Sequence, residues 1–262
     1  MLQFLAYIFM FIDHICKFLQ IKGFENINPI IGTLSFPIFA YITARSLKCT
    51  KNKDKYLLRL MIFSFVSQIP MILMIFGSPN TKNIIKFSDK IMYLIMFFTQ
   101  KLNIGFTLTL GVLTIKMMEK NKDNILNRVI FLLIFLIVSV LLNVDYGLYG
   151  VALIVMFYYI KKLPYLFFMM VLINTLNLVV NHLYGNLNKE IQVIMNMHIL
   201  YGILSLPFIY LLGIKMEKKV KGKNKKAKDD KKQKTVSRVL KYSIYPVHML
   251  VIYLLNVFNV LM

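Results

Sequence analysis

The sequence predicts an all-α, polytopic integral membrane helical bundle with about nine transmembrane helices. Three observations predict it. Of the 262 residues, 58% are hydrophobic, and mean hydropathy is +0.65. Apolar runs recur at lengths near the roughly 20 residues that a helix needs to cross a bilayer, whereas a membrane barrel would show short alternating segments. Basic residues collect in alternate connections, as loops on the cytoplasmic side do. Residues 1–262 read as a single domain.

The first span is FLAYIFMFIDHICKFLQ, with Asp13 and His14 side by side in an apolar run. An ionisable group near the middle of a spanning helix costs roughly 2.5–3.5 kcal/mol on insertion scales. Two readings stand: a polar pair satisfied by neighbouring helices, or a functional site. The helix lacks a basic leader and a small-residue cleavage site, so it is expected to be retained. A second span, Ile30 to Leu47, contains Gly32, Thr33, Ser35 and Pro37, small or kinking residues that allow close helix approach. The loop KCTKNKDKY reads as cytoplasmic. The third span, Tyr56 to Phe76, carries Arg59 one turn in and Ser67 and Gln68 before Pro70.

Ile91 to Phe98 is too short to cross and reads as re-entrant or interfacial. Gln100, Lys101 and Asn103 interrupt the run before a fourth span that ends near Met118. The fifth is expected from Ile130 to Val144, followed by the tight polar turn DYGLYG and a sixth span to Ile160. The seventh runs from Leu163 to Val180 with Asn174 and Asn177 and exits at Asn181 and His182. The eighth runs from Ile191 to Ile214 with Asn196 and His198, and the ninth begins at KYSIYPVHML. Residues 215–241 form a basic loop before that last helix: twelve lysines and one arginine against Glu217, Asp229 and Asp230, a net of +10. Placing loops 48–55, 116–128, 161–162 and 215–241 in the cytoplasm puts the N-terminus inside and the C-terminus outside. Lysines between 82 and 101 are the exception.

Formal net charge is +21. In a soluble protein that would suggest nucleic acid; here it reports topology and contact with anionic lipid. Cys16 and Cys49 make neither a disulfide framework nor a zinc site and read as packing residues. There is no Cys or His cluster at metal spacing, no glycine-rich phosphate loop and no serine-nucleophile motif, so no metal is expected.

What remains is a set of polar groups at membrane depth. Arg45 and Arg59 flank one short loop, and an arginine pair at a helix mouth can clamp phosphate bidentately or simply anchor the helix at the interface. His248 follows Pro246, whose missing N–H frees a carbonyl, so the imidazole is either structural or presented to an interior cavity. Asp145 reads as a turn former or a substrate group. Asn103, Tyr146, Tyr149, Asn174 and His182 complete the set.

Six segments occur in order over nearly the whole chain: DH in the first span, GTLSFPIFAYITARS, KYLLRLMIFSFVSQIP, LNIGFTLTLG, DYGLYGVALIVMFYY and KYSIYPVHMLVIYLL. Together they resemble the TraX family of conjugative-transfer proteins. That family is associated with N-terminal acetylation of pilin and is similar to transmembrane acyltransferases that modify cell-surface sugars. The resemblance implies a multi-pass enzyme of the bacterial cytoplasmic membrane that takes acetyl-CoA from the cytoplasm and acylates an amine or hydroxyl of a pilin-like peptide or a glycan. It implies that His14 is catalytic and that Arg45 and Arg59 hold the acyl-CoA. One departure is plain: Gly32-Thr33 stands where a glycine-arginine pair is expected. On this reading His14, oriented by Asp13, is the general base, and Asn103, Asp145, Tyr149 and His248 are candidate substrate or oxyanion groups. The rival readings are a transporter or flippase using the same polar line, and a non-catalytic membrane partner acting through the lysine-rich loop.

Overall fold

The computed structural model describes residues 1–19, 28–76, 101–184, 201–213 and 242–255. Among them are nine helices and no strand: α1 (Leu2–Leu19), α2 (Asn28–Cys49), α3 (Lys53–Phe76), α4 (Ile104–Lys120), α5 (Ile125–Leu141), α6 (Gly147–Tyr159), α7 (Leu163–Tyr184), α8 (Tyr201–Gly213, opening on a 3₁₀ turn) and α9 (Tyr242–Leu255). The short segment expected at Ile91 to Phe98, the start of the eighth span with Asn196 and His198, and the loop 215–241 lie outside the described residues.

Polar side chains set several helix starts. The Asn103 side chain accepts the Gly105 N–H and the Asn124 side chain accepts the Asn127 N–H, opening α4 and α5. The fifth helix therefore begins at Ile125, a turn or so before the expected Ile130, and ends at Leu141 rather than Val144. Asn143 and Tyr146 both take left-handed conformations, with φ of 47° and 61°. These end α5 and turn the chain directly into α6, so Gly147, Tyr149 and Gly150 of the expected polar turn are helical instead. Among the described residues one β-bridge, between Leu102 and Val144, closes this corner.

The contacts give consecutive helices opposite directions. Asp13 lies against Gly32 and Tyr7 against Phe39, so α1 and α2 run antiparallel. On α3 and α4, Asp54 pairs with Lys116, Lys53 with Glu119, and Ser64 meets Thr109 at 3.1 Å, again antiparallel. Phe36 stacks on Tyr146 and Tyr41 packs on Phe157, so α6 runs parallel to α2. Gly202 faces Thr33 and Gly213 faces Tyr41, which gives α8 the same sense. Tyr242 and Tyr245 line one cavity with Gln3 and Tyr7, while His248 meets Phe11 and His14, so α9 runs parallel to α1. One end of the bundle thus gathers Arg45, Lys48, Lys53, Arg59, Lys116 and Arg128. The other gathers Asp13, Asn103 and Asp145.

The distribution of polarity is inverted relative to a water-soluble bundle. Ser64, Gln68, Asn103, Thr107 and Thr114 are wholly buried, while Leu133, Ile137 and Leu141 of α5 and Phe167, Phe168 and Leu172 of α7 are exposed. The one buried residue of α5 is Ser139. Among the described residues two helices, Ile30–Cys49 and Lys53–Met74, are long and apolar enough to cross a bilayer. Cys16 is half-buried but Cys49 is exposed, which corrects the packing reading for the latter.

Glycine permits the closest approach between α4 and α6. A Cβ at Gly111 would fall 2.6 Å from Cδ1 of Ile154 and 2.9 Å from its Cβ and Cγ2. A rotamer change cannot move the Cβ, so the helices must separate. Gly111→Ala is expected to cost about 1–3 kcal/mol, the usual range for overpacking. An unchanged unfolding midpoint in detergent would contradict this packing.

Candidate active site

Neighbours on a helix point about 100° apart, so Asp13 and His14 address different elements. Asp13 is 6% exposed, and its carboxylate lies over the backbone of Gly32. A Cβ there would sit 2.1 Å from Oδ1. Gly32 is therefore the space in which the carboxylate packs. Beside it, the Thr33 hydroxyl donates to the Ile30 carbonyl at 2.9 Å.

His14 turns instead to α9. Its Nδ1 lies 2.7 Å from Nε2 of His248, with the two rings nearly parallel at 7°. His248 is 2% exposed. Its Nδ1 lies 3.1 Å from the Ile244 carbonyl, and its ring is flanked by Phe11 and Tyr245 at centroid distances of 4.8 and 5.4 Å. The nitrogen partner of His14 on this side is His248, a pairing the sequence reading did not name.

A cavity of about 220 Å³ lies between α1, α2, α3, α4 and α9. Gln3, Ser46, Tyr56 and Tyr242 line it toward the basic end, and Tyr245 and Ile104 deeper in. Tyr245 links it to the histidines, because the same ring walls the cavity and packs on His248. Arg59 lies over the Tyr56 ring at 5.9 Å and Arg45 over Tyr41 at 5.2 Å, cation–π contacts that hold both guanidiniums at this end. Arg45 is 13 residues beyond Gly32 on α2, so about 20 Å of helix separates the arginine level from the Asp13 level at 1.5 Å per residue.

The basic end is braced by Glu119, which accepts from Lys53 and from the Tyr158 hydroxyl. Burial raises its carboxyl, but those two hydrogen bonds and the charges of Lys53 and Lys48 outweigh burial and hold it below the ordinary value. Lys48 lies 4.5 Å over the Tyr158 ring.

A family model described as TraX protein matches residues 1–256. The chain belongs to the TraX family. The match spans all six segments that carried the resemblance. No curated protein and no solved structure matches this chain.

In this TraX-family chain the remaining candidates are dispersed. Asn103 is wholly buried and spent: Nδ2 donates to the Ser64 carbonyl and to Oε1 of Gln68, both at 2.8 Å, while Oδ1 accepts from Gly105. With both amide hydrogens engaged it caps α4 and ties it to α3, and it has no donor left for an oxyanion. Asp145 forms an ion pair with Lys101 at 2.7 Å, and its backbone bonds Leu102 and Thr107, so it holds the α5–α6 corner. Tyr149 is 4% exposed and packs near Phe36, with its hydroxyl against Gly202. Tyr146 stacks on Phe36 at 3.9 Å, within electrostatic reach of both Asp13 and Asp145. Asn174 is buried on α7; the side chains of Asn177 and His182 lie outside the described residues. Among the described residues no three of His, Cys, Asp and Glu come together.

Sequence reasoning missed the His14–His248 pairing and the tyrosines that line the cavity. The first left no local signal, since the two histidines are 234 residues apart. The second left a faint one: Tyr242, Tyr245 and His248 recur at three-residue steps, which places them on one helical face.

Proposed function

We propose that this TraX-family protein is a membrane-embedded acyltransferase that transfers acetyl from acetyl-CoA to an amine or hydroxyl of a peptide or glycan acceptor. The observation that carries the reading is the cavity: it runs from the arginine end of the bundle to Tyr245, which packs on His248, the partner of His14. A pilin-like acceptor fits the family, and a surface glycan fits the same chemistry.

The inverted polarity supports a multi-pass bundle in the bacterial cytoplasmic membrane. Exposed Leu, Ile and Phe face lipid and buried amides and hydroxyls satisfy one another, as hydrocarbon demands. The alternating helix directions and the collection of Arg and Lys at one end support an N-terminus in the cytoplasm and a C-terminus outside.

Acetyl-CoA supplies the activated acetyl group. Arg45 and Arg59 hold its phosphates by charge-assisted hydrogen bonds. The cavity's polar rim at Gln3 and Ser46 and its aromatic depth suit a chain of amides and methylenes. His14 removes the acceptor's proton as the new bond to the acetyl carbon forms, and returns it to the departing thiolate.

Binding of radiolabelled acetyl-CoA to the protein in lipid nanodiscs tests the donor assignment. Arg45→Ala and Arg59→Ala should each weaken it about 10- to 100-fold, the equivalent of about 1.5–3 kcal/mol for a hydrogen bond to a charged group. Full affinity in both variants would remove the arginines from the donor site.

A further inference from the structure

We infer that His248 is a positioning residue: it fixes His14 in the tautomer protonated at Nδ1 and so leaves the basic lone pair on Nε2. The inference deepens the acyltransferase reading and rests on it for its catalytic consequence, but the tautomer itself is independent of any activity.

The Ile244 oxygen only accepts, and it lies 3.1 Å from Nδ1 of His248, so that nitrogen carries a proton. A neutral imidazole has one N–H, which makes Nε2 of His248 an acceptor. The group 2.7 Å from it is Nδ1 of His14, which must therefore donate. His14 is then protonated at Nδ1 and bare at Nε2. The other assignment would need an imidazolium at position 248, a charge held at 2% exposure against the aromatic rings of Phe11 and Tyr245, where burying it is costly.

The ring of His248 is also held from rotating. Phe11 and Tyr245 pack against it, and its anchor, Ile244, is one helical turn earlier on α9. This is the role a carboxylate or carbonyl plays for other catalytic histidines, here supplied by a carbonyl through a second imidazole. It leaves Asp13, packed on Gly32, with a separate place in the structure. In the transfer step the proton leaves the acceptor nitrogen or oxygen for Nε2 of His14 as the acceptor–carbon bond forms and the carbon–sulfur bond breaks. Nδ1–H stays on His14, and its bond to His248 strengthens as the ring becomes cationic. The Nε2 proton then passes to the thiolate sulfur.

Nitrogen-15 NMR of the histidine rings in the full chain, in nanodiscs, tests this directly. The chain has four histidines, and His14→Gln identifies the His14 signals by their loss. The wild type should show His14 protonated at Nδ1. In His248→Leu, which removes the acceptor, His14 should move to the Nε2–H form that an isolated imidazole prefers. In His248→Gln, whose amide oxygen can take the place of Nε2, it should return to Nδ1–H. Turnover of acetyl-CoA should fall about 100-fold in His248→Leu with KM nearly unchanged, and recover to within about tenfold in His248→Gln. An Nε2–H form of His14 in the wild type, or the same tautomer in wild type and His248→Leu, would overturn the assignment. If the leucine variant does not fold, the wild-type spectrum decides alone. Correct tautomers with no turnover in any sample would uphold the pairing and reject the acyltransferase reading.

Discussion

His14→Ala should lower acetyl transfer by about 10²–10⁴-fold, the range that a positioned general base contributes, and leave acetyl-CoA affinity within about threefold of wild type, because the proposed donor contacts are charge-assisted bonds elsewhere. The two effects separate because the arginines and the histidine sit at different levels of the bundle. Arg45 and Arg59 lie at the basic end over Tyr41 and Tyr56. His14 lies near the far end of α1, next to the Asp13 that packs on Gly32. Losing the imidazole would therefore remove the proposed proton acceptor without disturbing the proposed phosphate clamp. His14 is only half-buried, so truncation opens little core. Single-turnover transfer and equilibrium binding on the same preparation check it. Lost binding together with lost turnover would show that His14 acts through structure instead.

Asn103→Ala should destabilise the bundle by about 2–4 kcal/mol. It removes an N-cap, worth about 1 kcal/mol, and withdraws both donors from the Ser64 carbonyl and Gln68 Oε1 in a wholly buried site, a cost of about 1–3 kcal/mol. Asn103→Asp separates the two roles. A carboxylate keeps the cap to Gly105, but it faces Gln68 Oε1 and the Ser64 carbonyl with oxygen in place of N–H. If Asn103 is a latch between α3 and α4, Asp should be no better than Ala in thermal unfolding. If capping were its whole role, Asp would match wild type. An oxyanion donor would instead lose turnover at unchanged stability.

The helices were legible because each apolar run is long and interrupted by charge. The ends were less so. The fifth helix starts five residues before its expected start because Asn124, which reads in sequence as part of a basic loop, caps it. Tyr149 and Gly150 look like turn residues, yet the turn closes at Tyr146 through left-handed φ values that the sequence pattern does not announce. The clustering of Arg45 and Arg59 at one end was readable from charge, and the family was readable from six ordered segments that the match to residues 1–256 spans. Asn103 could be seen as a buried polar group, but its partners could not, because Gln68 and Ser64 lie more than thirty residues away. The meeting of His14 with His248 was least legible. It depends on α9 following α1 in direction, a tertiary fact to which periodicity within either helix is blind.

Release of CoA thiol by purified protein in nanodiscs is the decisive test of the proposed thioester cleavage. Slow thiol release by the wild type is expected, accelerated by an acceptor amine or hydroxyl and absent in His14→Ala. No thiol release by folded protein, with a substrate accumulating across sealed proteoliposomes while acetyl-CoA stays intact, would contradict it and make Asp13, His14 and His248 a translocation path.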